Sequence, residues 1–145
     1  MNAFKLIGQY KHKIDTKRRL FIPSDLKVSS NWVATIGMER CLFLFPREEW
    51  KKITEKIQEL PLTKKDSRGF LRVFLSGAKS IEADSQGRIL LPEDLADYAA
   101  LKNRGIIIGM LNRLEIWNPG RWEKYSHSKK NKFSELAENI VDLNI

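Results

Sequence analysis

Two five-residue stretches carry the residue types that could do chemistry. Asp15-Thr16-Lys17-Arg18-Arg19 and Asp84-Ser85-Gln86-Gly87-Arg88 each set a carboxylate four residues ahead of a guanidinium. An aspartate at the start of a turn can accept backbone N–H bonds and hold the turn. A glycine such as Gly87 permits positive φ without steric cost. The closing arginine can bond its own aspartate, face a phosphate, or read guanine through O6 and N7. A turn-fastening role is the preferred reading for Asp15, Asp84 and Gly87. In the first stretch Arg18 replaces the glycine, which costs on the order of 1 kcal/mol if φ is positive there. The replacement leaves three consecutive cations, Lys17, Arg18 and Arg19, flanked by Lys11 and Lys13. The first stretch is therefore expected to be the main phosphate-facing surface. Lys13, Lys17, Arg18, Arg19 and Arg88 are the candidate DNA contacts. The competing reading is a solvated basic turn.

Other reactive groups are sparse. The histidines are His12, in a basic strand, and His127, in a polar stretch; Cys41 falls among apolar residues. Neither a phosphate-binding loop nor a dinucleotide fingerprint is present, and no Cys/His spacing suits zinc. No cofactor, metal site or catalytic function is expected. The matched aspartates sit in repeated turns, where a structural role suffices.

Both stretches lie inside a duplicated unit. IDTKRRLFIPSDL (14–26) and ADSQGRILLPEDL (83–95) align at an offset of 69, matching Asp15 with Asp84, Arg19 with Arg88, Pro23 with Pro92 and Leu26 with Leu95. Further on the offset becomes 72: Ile36-Gly37-Met38 recurs as Ile108-Gly109-Met110, Leu42 as Leu114, and Trp50 as Trp122. Three extra residues thus lie in the second copy, between its proline and its apolar strand.

The elements that must position the turns follow from patterning. A first strand, about Leu6–Ile14, alternates Tyr10, His12 and Ile14 with Lys11 and Lys13, which suits a strand with two different faces. After the turn comes a short apolar run ended by proline, which lacks the ladder N–H. A short helix is expected next, over Glu93–Lys102 in the second copy. Strands follow over Trp32–Gly37 with Cys41–Phe45, and over Ile106–Gly109 with Leu114–Trp117, with Gly37 and Asn112 as turn formers. Helices are expected over Arg47–Leu60 and Arg68–Leu75, and a C-terminal stripe runs through Phe133, Leu136, Ala137, Ile140 and Val141. His127–Lys132 reads as a polar connector. Trp32, Trp50, Trp117 and Trp122 serve either the core or subunit interfaces; the recurrence of Trp50 and Trp122 favours the core. The fold class is α+β. The expected division is a first repeat with its trailing helix (1–60), a linker and helix (61–75), and a second repeat with C-terminal helices (76–145).

Composition narrows the partner. The net charge is +8, from 26 basic and 18 acidic residues. Residues 1–72 hold 16 of those basic and 8 of those acidic residues, so the first half carries the whole excess. Such a bias suits a polyanion, because cationic surfaces release counterions from nucleic acid. RNA is less favoured, since no aromatic stacking signature accompanies the basic turn. No apolar run approaches the roughly 20 residues that span a bilayer. With no leader architecture and a single cysteine, a cytoplasmic setting is expected.

In order and spacing, IDTKRRLFIP, RVFLSGAKSIEAD, ADSQGRILLP and GMLNRLEIWNPGRW resemble the MraZ family of bacterial transcriptional regulators, which consist of two AbrB-like repeats. Arg18 departs from that family's usual glycine. The resemblance implies intertwined swapped-hairpin repeats forming a small β-barrel, and a homo-oligomeric ring of about eight subunits. It implies sequence-specific binding to repeated boxes in double-stranded promoter DNA of the division and cell-wall gene cluster, in the nucleoid. Arg19 would be the leading contact and Arg88 its counterpart. Weak modules arrayed on a ring gain avidity on closely spaced boxes. The alternative is a non-catalytic oligomeric scaffold or protein-interaction module.

Overall fold

A computed structural model of the chain describes residues 6–143. Each half of the chain lends its first strand to the other half. Strand β1 (Gln9–Lys13) pairs antiparallel with β7 (Arg104–Gly109), while β5 (Lys79–Glu82) pairs antiparallel with β3 (Asn31–Ile36). The hairpins of β3 with β4 (Leu42–Pro46) and of β7 with β8 (Leu114–Trp117) join through β4 and β8, giving the order β1-β7-β8-β4-β3-β5. A two-stranded ribbon of β2 (Arg19–Phe21) and β6 (Arg88–Leu90) carries the two turn motifs.

The duplication is thereby folded about a pseudo-two-fold axis. In the ribbon Leu20 faces Ile89, its own repeat equivalent; in the sheet Phe43 faces Glu115, again equivalents. The bonds flanking the ribbon obey the same axis. Ile22 N–H donates to the Gly87 carbonyl at 3.0 Å, and Leu91 N–H to the Arg18 carbonyl at 2.9 Å.

Period-two alternation sorts the sheet's side chains onto two cores. Leu42, Leu44, Ile107 and Ile116 point to one face, where they meet Leu20, Ile22, Ile89 and Leu91 from the ribbon and its flanks. Helix α3 (Glu93–Tyr98) adds Leu95 and Ala96 to that core. Phe43, Phe45, Ile106, Ile108 and Trp117 point to the other face. There they meet α1 (Arg47–Ile57), α2 (Lys65–Ser76) and α4 (Pro119–Lys130), through Trp50, Ile53, Phe74, Trp122 and Tyr125. Burying the strand on both faces is what makes β4 a continuous apolar run rather than an alternating one.

The α+β class is as expected, but the strands form no closed barrel. The six-stranded sheet and the ribbon remain separate, joined among the described residues by one isolated bridge, Ile14 to Leu20. A single bridge at a corner cannot continue a ladder, and helices cover the sheet's second face instead.

Several local expectations are also revised. Gly37 is extended, at φ −112°, and does not make the turn. Its requirement is spatial: a Cβ there would come within 2.7 Å of Phe43 Cδ1 and 2.8 Å of Cys41 Sγ. The left-handed residues of these hairpins are Glu39, Arg40 and Leu111. His127–Lys130 is helical, because Asn118 caps α4 by accepting the Arg121 N–H at 3.1 Å and Pro119 starts it. The helix after Pro92 ends at Tyr98, with Ala100 left-handed beyond it, and the segment after Pro23 makes one 3₁₀ turn, Ser24–Leu26. Helix α1 ends at Ile57, short of Leu60. The C-terminal stripe forms a short α5, Phe133–Asn139.

Candidate nucleic-acid interface

Each turn is built on one carboxylate that accepts three hydrogen bonds. Asp15 Oδ1 accepts the backbone N–H of Lys17 and of Arg19, both at 2.9 Å, and Oδ2 accepts Arg19 Nε at 2.6 Å. Asp84 repeats the pattern: Oδ1 accepts from the N–H of Gln86 and Arg88 at 2.9 Å, and Oδ2 from Arg88 Nε at 2.9 Å. Both carboxyls are held below the ordinary carboxylate pKa. The backbone N–H of the closing arginine lowers it most, opposed by partial desolvation and reinforced by the guanidinium and the intermediate N–H. Asp15 and Asp84 thus each bond both the backbone and the guanidinium of their own turn.

Backbone conformation explains the glycine and its replacement. Gly87 has φ +80° and Arg18 φ +63°, so both copies adopt the left-handed turn. The space beside each differs. Lys27 lies where a Cβ on Gly87 would sit, its Nζ 5.3 Å from the Phe21 ring centroid. At the same offset the counterpart of Lys27 is Ala96, with no side chain of comparable reach. Arg18 is also anchored: its Nε donates to the Leu91 carbonyl at 3.0 Å, across 73 residues of chain.

Arg18, Arg19 and Arg88 therefore share one geometry. Each is tethered through Nε, to a carbonyl or a carboxylate. No hydrogen bond among the described residues engages their Nη groups. A tethered guanidinium has lost much of its rotamer freedom before it meets a ligand, and the open Nη pair is the fork that suits phosphate or a guanine edge.

The ribbon brings these forks together. Leu20 and Ile89 point into the core, so Arg19, Phe21, Arg88 and Leu90 line its outer surface. Lys17, Arg18, Arg19 and Arg88 share a cleft of about 610 Å³ with Thr16, Leu90, Asp84 and Glu82. Lys13 lies elsewhere: it sits on β1 opposite Arg104, on the face of the sheet that also carries Ile106. Sequence reasoning overlooked Arg104, Glu82 and Lys27. Arg104 could not be found from charge bias, since the second half is neutral overall. Lys27 had one available signal, the Lys27/Ala96 mismatch beside the Arg18/Gly87 mismatch.

Among the described residues no group of three or more His, Cys, Asp or Glu side chains could hold a metal ion, and no helix is long and apolar enough to cross a membrane. Cys41 is buried, its thiol pushed up to about 12 chiefly by desolvation.

A family model described as "MraZ protein, putative antitoxin-like" matches residues 6–73 and again residues 74–144. Proteins named transcriptional regulator MraZ are similar over nearly their whole length. That of Natranaerobius thermophilus is 46% identical over 141 residues, covering 96% of this chain and 99% of the relative. That of Thermoanaerobacter sp. (strain X514) is 46% identical over 142 residues, covering 97% and 99%. That of Heliobacterium modesticaldum is 45% identical over 141 residues, covering 96% and 99%. With two matched repeats and relatives of this identity along its length, the chain belongs to the MraZ family of transcriptional regulators.

Proposed function

We propose that the chain is a sequence-specific DNA-binding transcriptional regulator that contacts double-stranded promoter DNA through the ribbon carrying both turns. The observation that carries this reading is the set of three Nε-tethered arginines, Arg18, Arg19 and Arg88, gathered in one cleft with Lys17. The exchange of first strands between halves supports reading each repeat as AbrB-like, with the swap made within one chain. Arg19 and Arg88 read or clamp the DNA, Lys17 and Arg18 neutralise phosphates, and Lys13 with Arg104 contributes more distant positive charge. The protein acts as a homo-oligomer, a ring of about eight subunits, on repeated boxes ahead of the division and cell-wall gene cluster. Its setting is the cytoplasm, at the nucleoid. Residues 1–60, 61–75 and 76–145 serve as first repeat, linker with helix, and second repeat.

Mobility-shift assays on promoter DNA at two salt concentrations test the reading. A Lys17→Ala, Arg18→Ala, Arg19→Ala variant that still assembles should lose most of its affinity, and wild-type binding should weaken steeply with salt. Undiminished binding by the variant sinks the site assignment.

The scaffold reading has one observation in its favour, the apolar surface left on the helices. It leaves the three open arginine forks without a role.

A further inference from the structure

Helix α5 is too short to stand in water on its own account. An isolated helix needs roughly 12–15 residues to be even marginally stable; α5 has seven and lies against α4. Its apolar stripe is nevertheless uncovered. Phe133 is 70% exposed, Ile140 54% and Val141 93%. Such a stripe calls for a partner surface.

The trailing helix of the first half shows what kind of surface it needs. Helix α2 carries Phe70, Val73 and Phe74 at the spacing at which α5 carries Phe133, Leu136 and Ala137. In α2 the stripe is seated: Phe74 is buried, with its ring 5.6 Å from Trp50 and 5.0 Å from Phe70. Beside it an apolar groove of about 620 Å³ remains open between α1, α2 and the β3–β4 hairpin. Met38, Phe43, Ile53, Phe70, Val73 and Arg113 line it.

Charge matches the two surfaces. Arg113 is the one charged residue of the groove lining, and its buried Nε has no hydrogen-bond partner among the described residues. Residues 133–143 hold Glu135, Glu138 and Asp142 and neither lysine nor arginine. Arg113 keeps its Nη groups on Asn112 and Glu115 at 2.9 and 3.1 Å, so acidic residues on the helix would approach a guanidinium whose Nε alone lacks an acceptor.

We infer that α5 and the residues that follow it, to Leu143, dock in the α1–α2 groove of a second copy of the chain. The inference rests on the homo-oligomer proposed above and names its contact. Groove and helix are different surfaces of the subunit, so the contact is heterologous and repeats head to tail, which is the arrangement that closes into rings.

Sedimentation velocity on the full chain and on Phe133→Asp and Val73→Asp variants tests it, with circular dichroism as the fold check. The wild type should sediment as a multi-subunit particle and each variant as a monomer. An equimolar mixture of the two variants should recover a two-subunit particle, because one keeps its groove and the other its helix. Val141→Asp replaces Phe133→Asp if the latter misfolds. Variants that keep the wild-type mass overturn the contact while leaving assembly intact. A Val73→Asp protein that still assembles when Phe133→Asp does not indicates helix-to-helix pairing and overturns the groove. A mixture of folded variants that stays monomeric overturns it too. A monomeric wild type overturns the homo-oligomer itself.

Discussion

Replacing Arg18 separates backbone strain from side-chain function. Arg18 sits at φ +63°, where a residue with a Cβ costs on the order of 1 kcal/mol relative to glycine. It also donates from Nε to the Leu91 carbonyl at 3.0 Å, a half-buried bond, and such a bond contributes about 1 kcal/mol net. Arg18→Ala loses the bond and keeps the strain, so it should be less stable than wild type by about 1 kcal/mol. Arg18→Gly loses the bond and sheds the strain, so the two effects offset. The glycine variant should therefore melt above the alanine variant by about 2–4 °C, the shift that about 1 kcal/mol produces in a chain of this size. Thermal unfolding at one fixed protein concentration measures the difference, since assembly raises the melting temperature with concentration. On DNA the same pair should behave alike, because both have lost the same cation. Each should show a smaller salt dependence than wild type, by about 0.9 in log–log slope if Arg18 meets one phosphate. A glycine variant that melts at or below the alanine variant refutes the strain argument.

Three further outcomes follow from the geometry. Both turn carboxyls have folded-state pKa values below the ordinary 3.8; depressed values add stability that is present above 3.8 and lost as pH falls through the folded values. Denaturant titrations at neutral and strongly acid pH should thus show a smaller acid loss in Asp15→Asn, Asp84→Asn protein than in wild type; an equal loss places the acid sensitivity elsewhere. Glu115→Ala should destabilise by about 2–3 kcal/mol, because it strips Trp117 Nε1 and Arg113 Nη2 of an acceptor at 3.0 and 3.1 Å; urea unfolding measures this, and a loss under 1 kcal/mol contradicts it. With its thiol buried and pushed up to about 12, Cys41 should resist labelling in native protein at pH 8 and react at once in denaturant; fast native labelling means that the helix layer opens.

The parts of the structure that repeat were legible in the sequence, and those that depend on pairing were not. The alignment of Arg18 with Gly87 carries a cost only if φ is positive at 18, and both residues are left-handed because an equivalent turn needs an equivalent backbone. The Asp-to-Arg spacing allows the clamp, since four residues close one turn, but it leaves the arginine open to phosphate or a guanine edge as well. Alternation in β1 assigned faces correctly, but period-two patterning is silent about partners. Nothing in Gln9–Lys13 says that it pairs with Arg104–Gly109 in the other half. For the same reason the Arg18-to-Leu91 bond and the Lys13–Arg104 neighbourhood were invisible. The charge count places the net excess in the first half, and the ribbon adds Arg88 from the neutral second half beside Arg19 in one cleft. Helix α4 takes in His127–Lys130, expected as part of a polar connector, because polar residues continue a capped helix as readily as they form a connector.

The position where Phe43 faces Glu115 has a consequence for descent. In a dimer of identical chains, a residue on the symmetry axis must meet its own copy. Glutamate would confront glutamate, and two carboxylates would compete for one small buried volume. Joining the copies in a single chain lifts that restriction. One side of the axis has kept an aromatic ring, and the other holds an acid that accepts from Arg113 and Trp117, with the Arg113 guanidinium 4.5 Å above the Phe43 ring. Two identical halves cannot set an aromatic ring opposite an acid on their shared axis, so this pair needs halves that differ.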